Sequence, residues 1–266
     1  MYQIQQLFVS SLFVGWLLCL LVSYNLSLNT SLAVILANAF MVESFLYPLA
    51  MEWYGGGAWS VSTEIFFYFL FPFLLPWFLN LNKAALAVMF IAALVLSSIP
   101  GFLYQYGLVS FNLSYTFPFL RLPEFVAGML LGVLTFRFNF RLPVWAGLAI
   151  LLLTAVYLVY FSPLFIGYTI HNIFILPGIL ALINLLSFNF KWLGAKALVY
   201  LGEISYAFYI VQIPMLITLD HLLKNQKISS KDYLIWLIAF IVNLLAAVLV
   251  SEFIEKPFQK KIRARA

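Results

Sequence analysis

Charge is what this sequence has least of. Only 9% of its 266 residues are charged, where a soluble domain carries about 25%. Cysteine occurs once, at Cys19 inside an apolar run, so no internal disulfide can form. The two histidines, His171 and His221, lie fifty residues apart, and no other metal-ligand spacing accompanies them. No glycine-rich phosphate loop, internal repeat, low-complexity tract or linker interrupts the chain. Met1 to Gln6 has no basic character, and no cleavage site follows the first apolar stretch, so no signal peptide is read. These absences exclude an ordinary soluble enzyme, a disulfide scaffold and a protein-ligated metal centre.

Hydrophobic residues make up 65% of the chain, with 28 Phe, 15 Tyr and 7 Trp. About 20 apolar residues suffice to cross a bilayer as a helix. Candidate spans cover roughly 7–27, 59–79, 84–100, 118–136, 143–161, 169–188, 198–219 and 233–253. A membrane barrel would show short alternating strands instead. The expected fold is all-α: a single integral-membrane domain over 1–266, a polytopic bundle of about eight transmembrane helices. The stretch 31–50 is apolar but broken by Asn38, Glu43, Ser44 and Pro48, so it reads as one re-entrant or interfacial helix.

The net charge of +5 is no nucleic-acid signature, because five of the 14 basic residues sit in the last eleven positions and the others are scattered. They instead orient the chain. With both termini cytoplasmic, ten basic residues lie in inner loops and tail against three in outer loops, as the positive-inside rule requires. The loop at Gly55–Gly57 then faces outward.

Four polar constellations interrupt the apolar runs. In WSVSTEIFFYFLFPFLLPW (Trp59–Trp77), Ser60, Glu64, Tyr68 and Phe71 fall on one helical face, and Pro72 and Pro76 interrupt the far half. A carboxylate at membrane depth costs at least ~2.5 kcal/mol unless it meets a polar partner. Glu64 is therefore read as a cavity wall, against the alternative of an interfacial side chain. In the second, Arg121 and Glu124 are three apart and can pair, and Gly128 and Gly132 follow as a small-xxx-small seam for close helix packing. The pair either fastens helices or presents a guanidinium to an anionic or polyhydroxylated ligand. In the third, Ser205, Tyr209 and Gln212 share a face, suiting a sugar-like ligand, a helix contact or an interfacial aromatic belt. The fourth is a carboxylate-rich helix end, Ser251 to Phe258, where Glu255 and Lys256 meet the basic tail.

These segments also resemble a family. WSVSTEIFFYFLFPFLL resembles the W-S-L-S-x-E-x-x-F-Y-x-x-x-P signature of the acyltransferase 3 family of multi-pass membrane acyltransferases. Arg121-Leu-Pro-Glu-Phe-Val-Ala-Gly resembles its R-x-x-E-F-x-x-G segment, Gly202 to Pro214 its G-x-I-S-Y-x-x-Y-L-x-H-x-P, and Glu255 to Phe258 its E-R-P-F. The four occur in the family's order across residues 59–258. The resemblance implies a ten-helix design that takes an acyl group, usually acetyl, from acyl-coenzyme A. The group passes to a hydroxyl of a carbohydrate or lipid-linked saccharide, often in cell-surface polysaccharide of the cell envelope. It implies a multi-pass protein of the bacterial plasma membrane, with lipids and acetyl-CoA as partners, no bound cofactor and no nucleic acid. By residue it implies a substrate-binding set of Trp59, Ser62, Glu64, Arg121, Glu124, Ser205, Tyr206, Tyr209 and Glu255.

The departures bear on catalysis. The family's catalytic histidine, in its first spanning helix, has no counterpart here, and no arginine precedes Arg121. Gln212 stands where the third segment has histidine, and Lys256 where the last has arginine. On this reading the chain matches the C-terminal eight-helix part of the family, with the first two helices missing, and no catalytic base is assigned. Acyl transfer by the chain alone is then expected at background. Two other functions fit the same polar residues: a transporter or flippase of a polar lipid-linked molecule, and an inactive membrane scaffold.

Overall fold

A computed structural model of the chain describes residues 36–37, 40–47, 58–165, 168–189, 194–226, 233–257 and 260. The described residues contain helices and turns and no strand. The protein is an all-α membrane bundle, and among the described residues five helical segments are long and apolar enough to cross a bilayer: Trp59–Asn80, Lys83–Gln105, Phe111–Phe138, Tyr168–Phe188 and Tyr233–Glu255. The shorter apolar helix Val144–Tyr160 lies between the third and fourth of these. The expected span at 7–27 and the Gly55–Gly57 loop lie outside the described residues.

The chain divides into two compact units, Thr63–Gly194 and a second made of Met1–Ser62 with Ala195–Ala266. Helix α1 (Ala58–Asn80) begins in the second and runs on into the first. Within Thr63–Gly194 follow α2 (Lys83–Leu96), α3 (Ile99–Gln105), α4 (Phe111–Thr116), α5 (Pro118–Phe138), α6 (Val144–Tyr160) and α7 (Asn172–Asn189). Short 3-10 turns at Ser162–Leu164 and Tyr168–His171 link α6 to α7. The other unit holds α8 (Lys196–Gln226) and α9 (Tyr233–Val250), which ends in a π-turn, Ser251–Glu255.

Pro72 and Pro76 do not break α1; the helix passes through both to Asn80, over the single span expected at 59–79. Each proline removes one N–H from the ladder, a loss that spanning helices tolerate where neighbours re-satisfy the backbone. At the far end, Arg137 donates to the carbonyls of Leu79 and Leu81, supplying positive charge where the helix dipole is negative. The aromatic run of α1 is packing surface: Phe67 stacks on Phe125 at 4.8 Å, and Phe66 meets Phe119 at the same distance.

α1, α2 and α5 build a core of this unit, in which Phe78, Leu86, Leu130, Val133 and Leu134 pack together. Between spanning helices this contact stabilises by van der Waals packing rather than water release, because lipid tails are equally apolar. The close approaches do not fall where the spacing of Gly128 and Gly132 predicts. Among the described residues nothing meets a side chain at either position, and Gly128 is exposed. Backbones instead approach at Gly101, where an added Cβ would lie 2.0 Å from the backbone nitrogen of Ile170. Gly147 and Gly178 instead make room between α6 and α7 for the side chains of Leu185 and Thr154. A repeat of small residues marks a helix that can be approached, but whether a partner arrives is decided elsewhere in the chain.

Residues 40–47 form turns, not a helix, with Met41 in the left-handed region at φ 53°. That agrees with a broken segment around Glu43 and Ser44, both buried.

Candidate functional site

One cluster of polar residues in Thr63–Gly194 lies at the start of α5. The first turn of α5 carries Arg121, and one turn on stands Glu124; their side chains are only 16% and 26% exposed and form an ion pair at 2.7 Å. Tyr115 from α4 lies beneath the guanidinium, 5.2 Å from ring centre to Cζ. Asn172, the first residue of α7, completes the cluster. Its Nδ2 donates to Glu124 Oε1 at 2.7 Å and to the carbonyl of Ser97 at 3.1 Å. One carboxylate oxygen thus receives an arginine and an amide donor, and Asn172 ties the end of α2 to the start of α7. Two groups beside this junction, Ser98 Oγ and Thr169 Oγ1, are buried without a hydrogen-bond partner among the described residues.

Next to Asn172, His171 Nδ1 and the hydroxyl of Tyr157 are hydrogen-bonded at 2.8 Å. Its ring sits against Tyr157 and Phe165. His171 is thus held by an aromatic shell. Asn172 is the residue that sequence reasoning missed. It carries no charge and matches no motif, and the only available signal was an amide placed where an apolar run begins.

Glu64 stands apart from this cluster. It is exposed, with Tyr68 its titratable neighbour one turn on, and the hydrogen bonds joining Arg121, Glu124 and Asn172 do not include it. Phe71, from the same predicted face, is also exposed.

In the unit holding α8 and α9, the predicted residues form three separate contacts. Ser62 is buried and its Oγ lies 2.6 Å from Ser44 Oγ, also accepting from the Ser44 N–H. The pair pins the turn at 40–47 to the first turns of α1. Ser60 bonds the Tyr209 hydroxyl at 2.8 Å, and Trp59 is buried beside it in sequence. The third contact is at the end of α9, where Lys256 pairs with Glu252 and lies 5.1 Å over the Tyr200 ring, while Tyr200 donates to Glu252. Glu255, from the expected substrate-binding set, is buried in the π-turn and bonded to Ser251. Glu252 and Lys256 are four apart and share a helical face, whereas the adjacent Glu255 points elsewhere.

Ser205 is exposed and spends its hydroxyl on the carbonyl of Gly202. Tyr206 is half-buried. Gln212 lines a cavity of about 350 Å3 between α8 and α9. The face predicted for Ser205, Tyr209 and Gln212 therefore splits three ways. Among the described residues no three His, Cys, Asp or Glu side chains group closely enough to hold a metal ion.

No curated protein and no solved structure matches the chain. The family model described as the acyltransferase domain, acyltransferase 3, matches residues 4–252. That match spans nearly the whole sequence and takes in all the polar clusters above apart from Glu255 and Lys256: the chain belongs to the acyltransferase 3 family.

Proposed function

We propose that this protein is a membrane O-acyltransferase that moves an acyl group, acetyl in the first instance, from acyl-coenzyme A to a hydroxyl of a carbohydrate or lipid-linked saccharide at the bacterial plasma membrane. The observation that carries the reading is the half-buried Arg121–Glu124–Asn172 cluster. A guanidinium held in place by a carboxylate, an aromatic face and an amide is pre-organised to hydrogen-bond a polyhydroxylated or anionic ligand.

In the reaction, the acceptor oxygen forms a bond to the thioester carbon and the carbon–sulfur bond breaks. The hydroxyl proton finally resides on the coenzyme A thiol. Arg121 serves to hold the acceptor or the developing oxyanion, worth about 10²–10³-fold where such a donor is removed elsewhere. Glu124 and Asn172 are positioning residues for Arg121. The group that first takes the hydroxyl proton is not assigned, because the chain has only His171 and His221, and His171 is engaged with Tyr157.

The test is transfer of radiolabelled acetyl from acetyl-CoA into alkali-labile esters of membrane carbohydrate, using membranes from cells that express the chain. Chain-dependent labelling that falls at least about 100-fold in Arg121→Ala is expected. Labelled saccharide that crosses the membrane without gaining an ester would replace this reading by a transporter.

A further inference from the structure

The cavity between α8 and α9 has a composition that the cluster on α5 does not explain. Its volume is about 350 Å3, and its walls are mainly apolar, from Phe208, Met215, Trp236 and Phe240. Two amides, Gln212 on α8 and Asn243 on α9, are its polar residues. Trp236 and Phe240 are also half exposed on the outer surface of α9, a helix that spans the membrane, so the cavity has a lipid-facing rim.

Asn243 sets the chemistry. The residue is 5% exposed. Its Nδ2 donates to the backbone carbonyl of Phe208 at 3.3 Å, and its Oδ1 has no partner among the described residues. A carbonyl only accepts, so the nitrogen must face Phe208 and the oxygen must be the unpartnered atom. A buried acceptor left without a donor costs about 1–3 kcal/mol, and an apolar surround offers no water to relieve it.

We infer that this cavity binds a long-chain alcohol dissolved in the membrane, its hydroxyl donating to Asn243 Oδ1 and accepting from the Gln212 side-chain amide. An alcohol supplies one donor and one acceptor on an apolar chain, which matches two amides among aromatic walls. Ethers and esters have no donor for Asn243. A fatty acid carried as its anion also lacks the donor and brings a charge into apolar surroundings, and an ammonium brings the opposite charge at similar cost. The inference stands independently of the transferase reading, since it concerns binding alone.

The test uses the full chain in phosphatidylcholine nanodiscs and three photoreactive probes with a diazirine midway along the chain: hexadecanol, its methyl ether and hexadecanoic acid. Hexadecanol is expected to label the α8 and α9 peptides carrying Gln212 and Asn243 about fivefold more than the ether does, the factor one hydrogen bond gives. Excess plain hexadecanol should remove that labelling from the unaltered chain. Asn243→Val should bring hexadecanol down to the level of the ether, and Ala239→Phe should block both by filling the cavity. Equal labelling by alcohol and ether would overturn the inference. So would labelling that plain hexadecanol does not displace. Labelling confined to other lipid-facing helices would do the same, and would mean that the Gln212 amide itself closes on Asn243.

Discussion

Replacing Gly101 by alanine tests how the cluster at Arg121 is held together. Gly101 lies in α3 against the 3-10 turn Tyr168–His171, and its added Cβ would stand 2.0 Å from Ile170 N, 2.6 Å from Ile170 Cα and 2.7 Å from Thr169 C. All three are backbone atoms, so no side-chain rotation relieves them. Carbon contacts settle near 3.5–4.0 Å, so the turn must retreat by about 1.5 Å. Asn172 follows that turn directly, and its bond to Glu124 is 2.7 Å long. A retreat of that size takes it past the ~3.5 Å at which a hydrogen bond ceases to count. Overpacking costs about 1–3 kcal/mol, and a half-buried carboxylate losing its amide donor adds to it, so a loss of ~2–4 kcal/mol is expected. The assay is denaturant or thermal unfolding of the purified chain in micelles, followed by tryptophan fluorescence and helical circular dichroism. Gly128→Ala is the control, since that position is open; it should be neutral or gain up to ~1 kcal/mol from better helix propensity. If Gly101→Ala unfolds within about 0.5 kcal/mol of the unaltered chain, the turn is not packed on α3 as described and the coupling to Asn172 fails.

Burial pushes the Glu43 carboxyl from 4.5 up to about 8. Between those values the folded chain holds a proton that the unfolded chain has released, so stability falls as pH rises from about 4.5 to about 8 and levels off above. The fall is at most about 5 kcal/mol, and Glu43→Gln should flatten it in pH-dependent melts; a flat profile in the unaltered chain would refute the burial of this group. Asn184 is buried and accepts from the Leu142 N–H at 2.9 Å while donating to Thr135 Oγ1 at 3.3 Å. Asn184→Leu leaves that N–H unpaired and is expected to lower stability by ~1–3 kcal/mol in the same unfolding assay. For orientation, a chain lacking Cys19 and carrying cysteine in place of Gly56 should react with an impermeant thiol reagent on intact cells, and one carrying it in place of Ala264 should not. The reverse pattern would invert the topology derived from loop charge.

Composition alone determined that this is a helical membrane protein. A chain with so few charges and such long apolar runs has no other way to satisfy its backbone in lipid than by helices or a closed barrel, and the runs are too long for barrel strands. Helix limits were legible for the same reason: 59–79, 118–136 and 143–161 lie within a few residues of α1, α5 and α6. Local spacing also determined the Arg121–Glu124 pair, because three residues on a helix is a fixed distance. What lies opposite a helix face is another matter, since side chains far apart in sequence must choose one another. Tertiary structure alone decided that Asn172, and not Glu64, completes the cluster on α5, and that Gly101 rather than the Gly128–Gly132 seam is closely approached. It likewise buried Glu255, while Glu252, four residues before Lys256, keeps the ordinary helical pairing. Periodicity fixes which residues share a face of one helix; packing density decides which faces are filled.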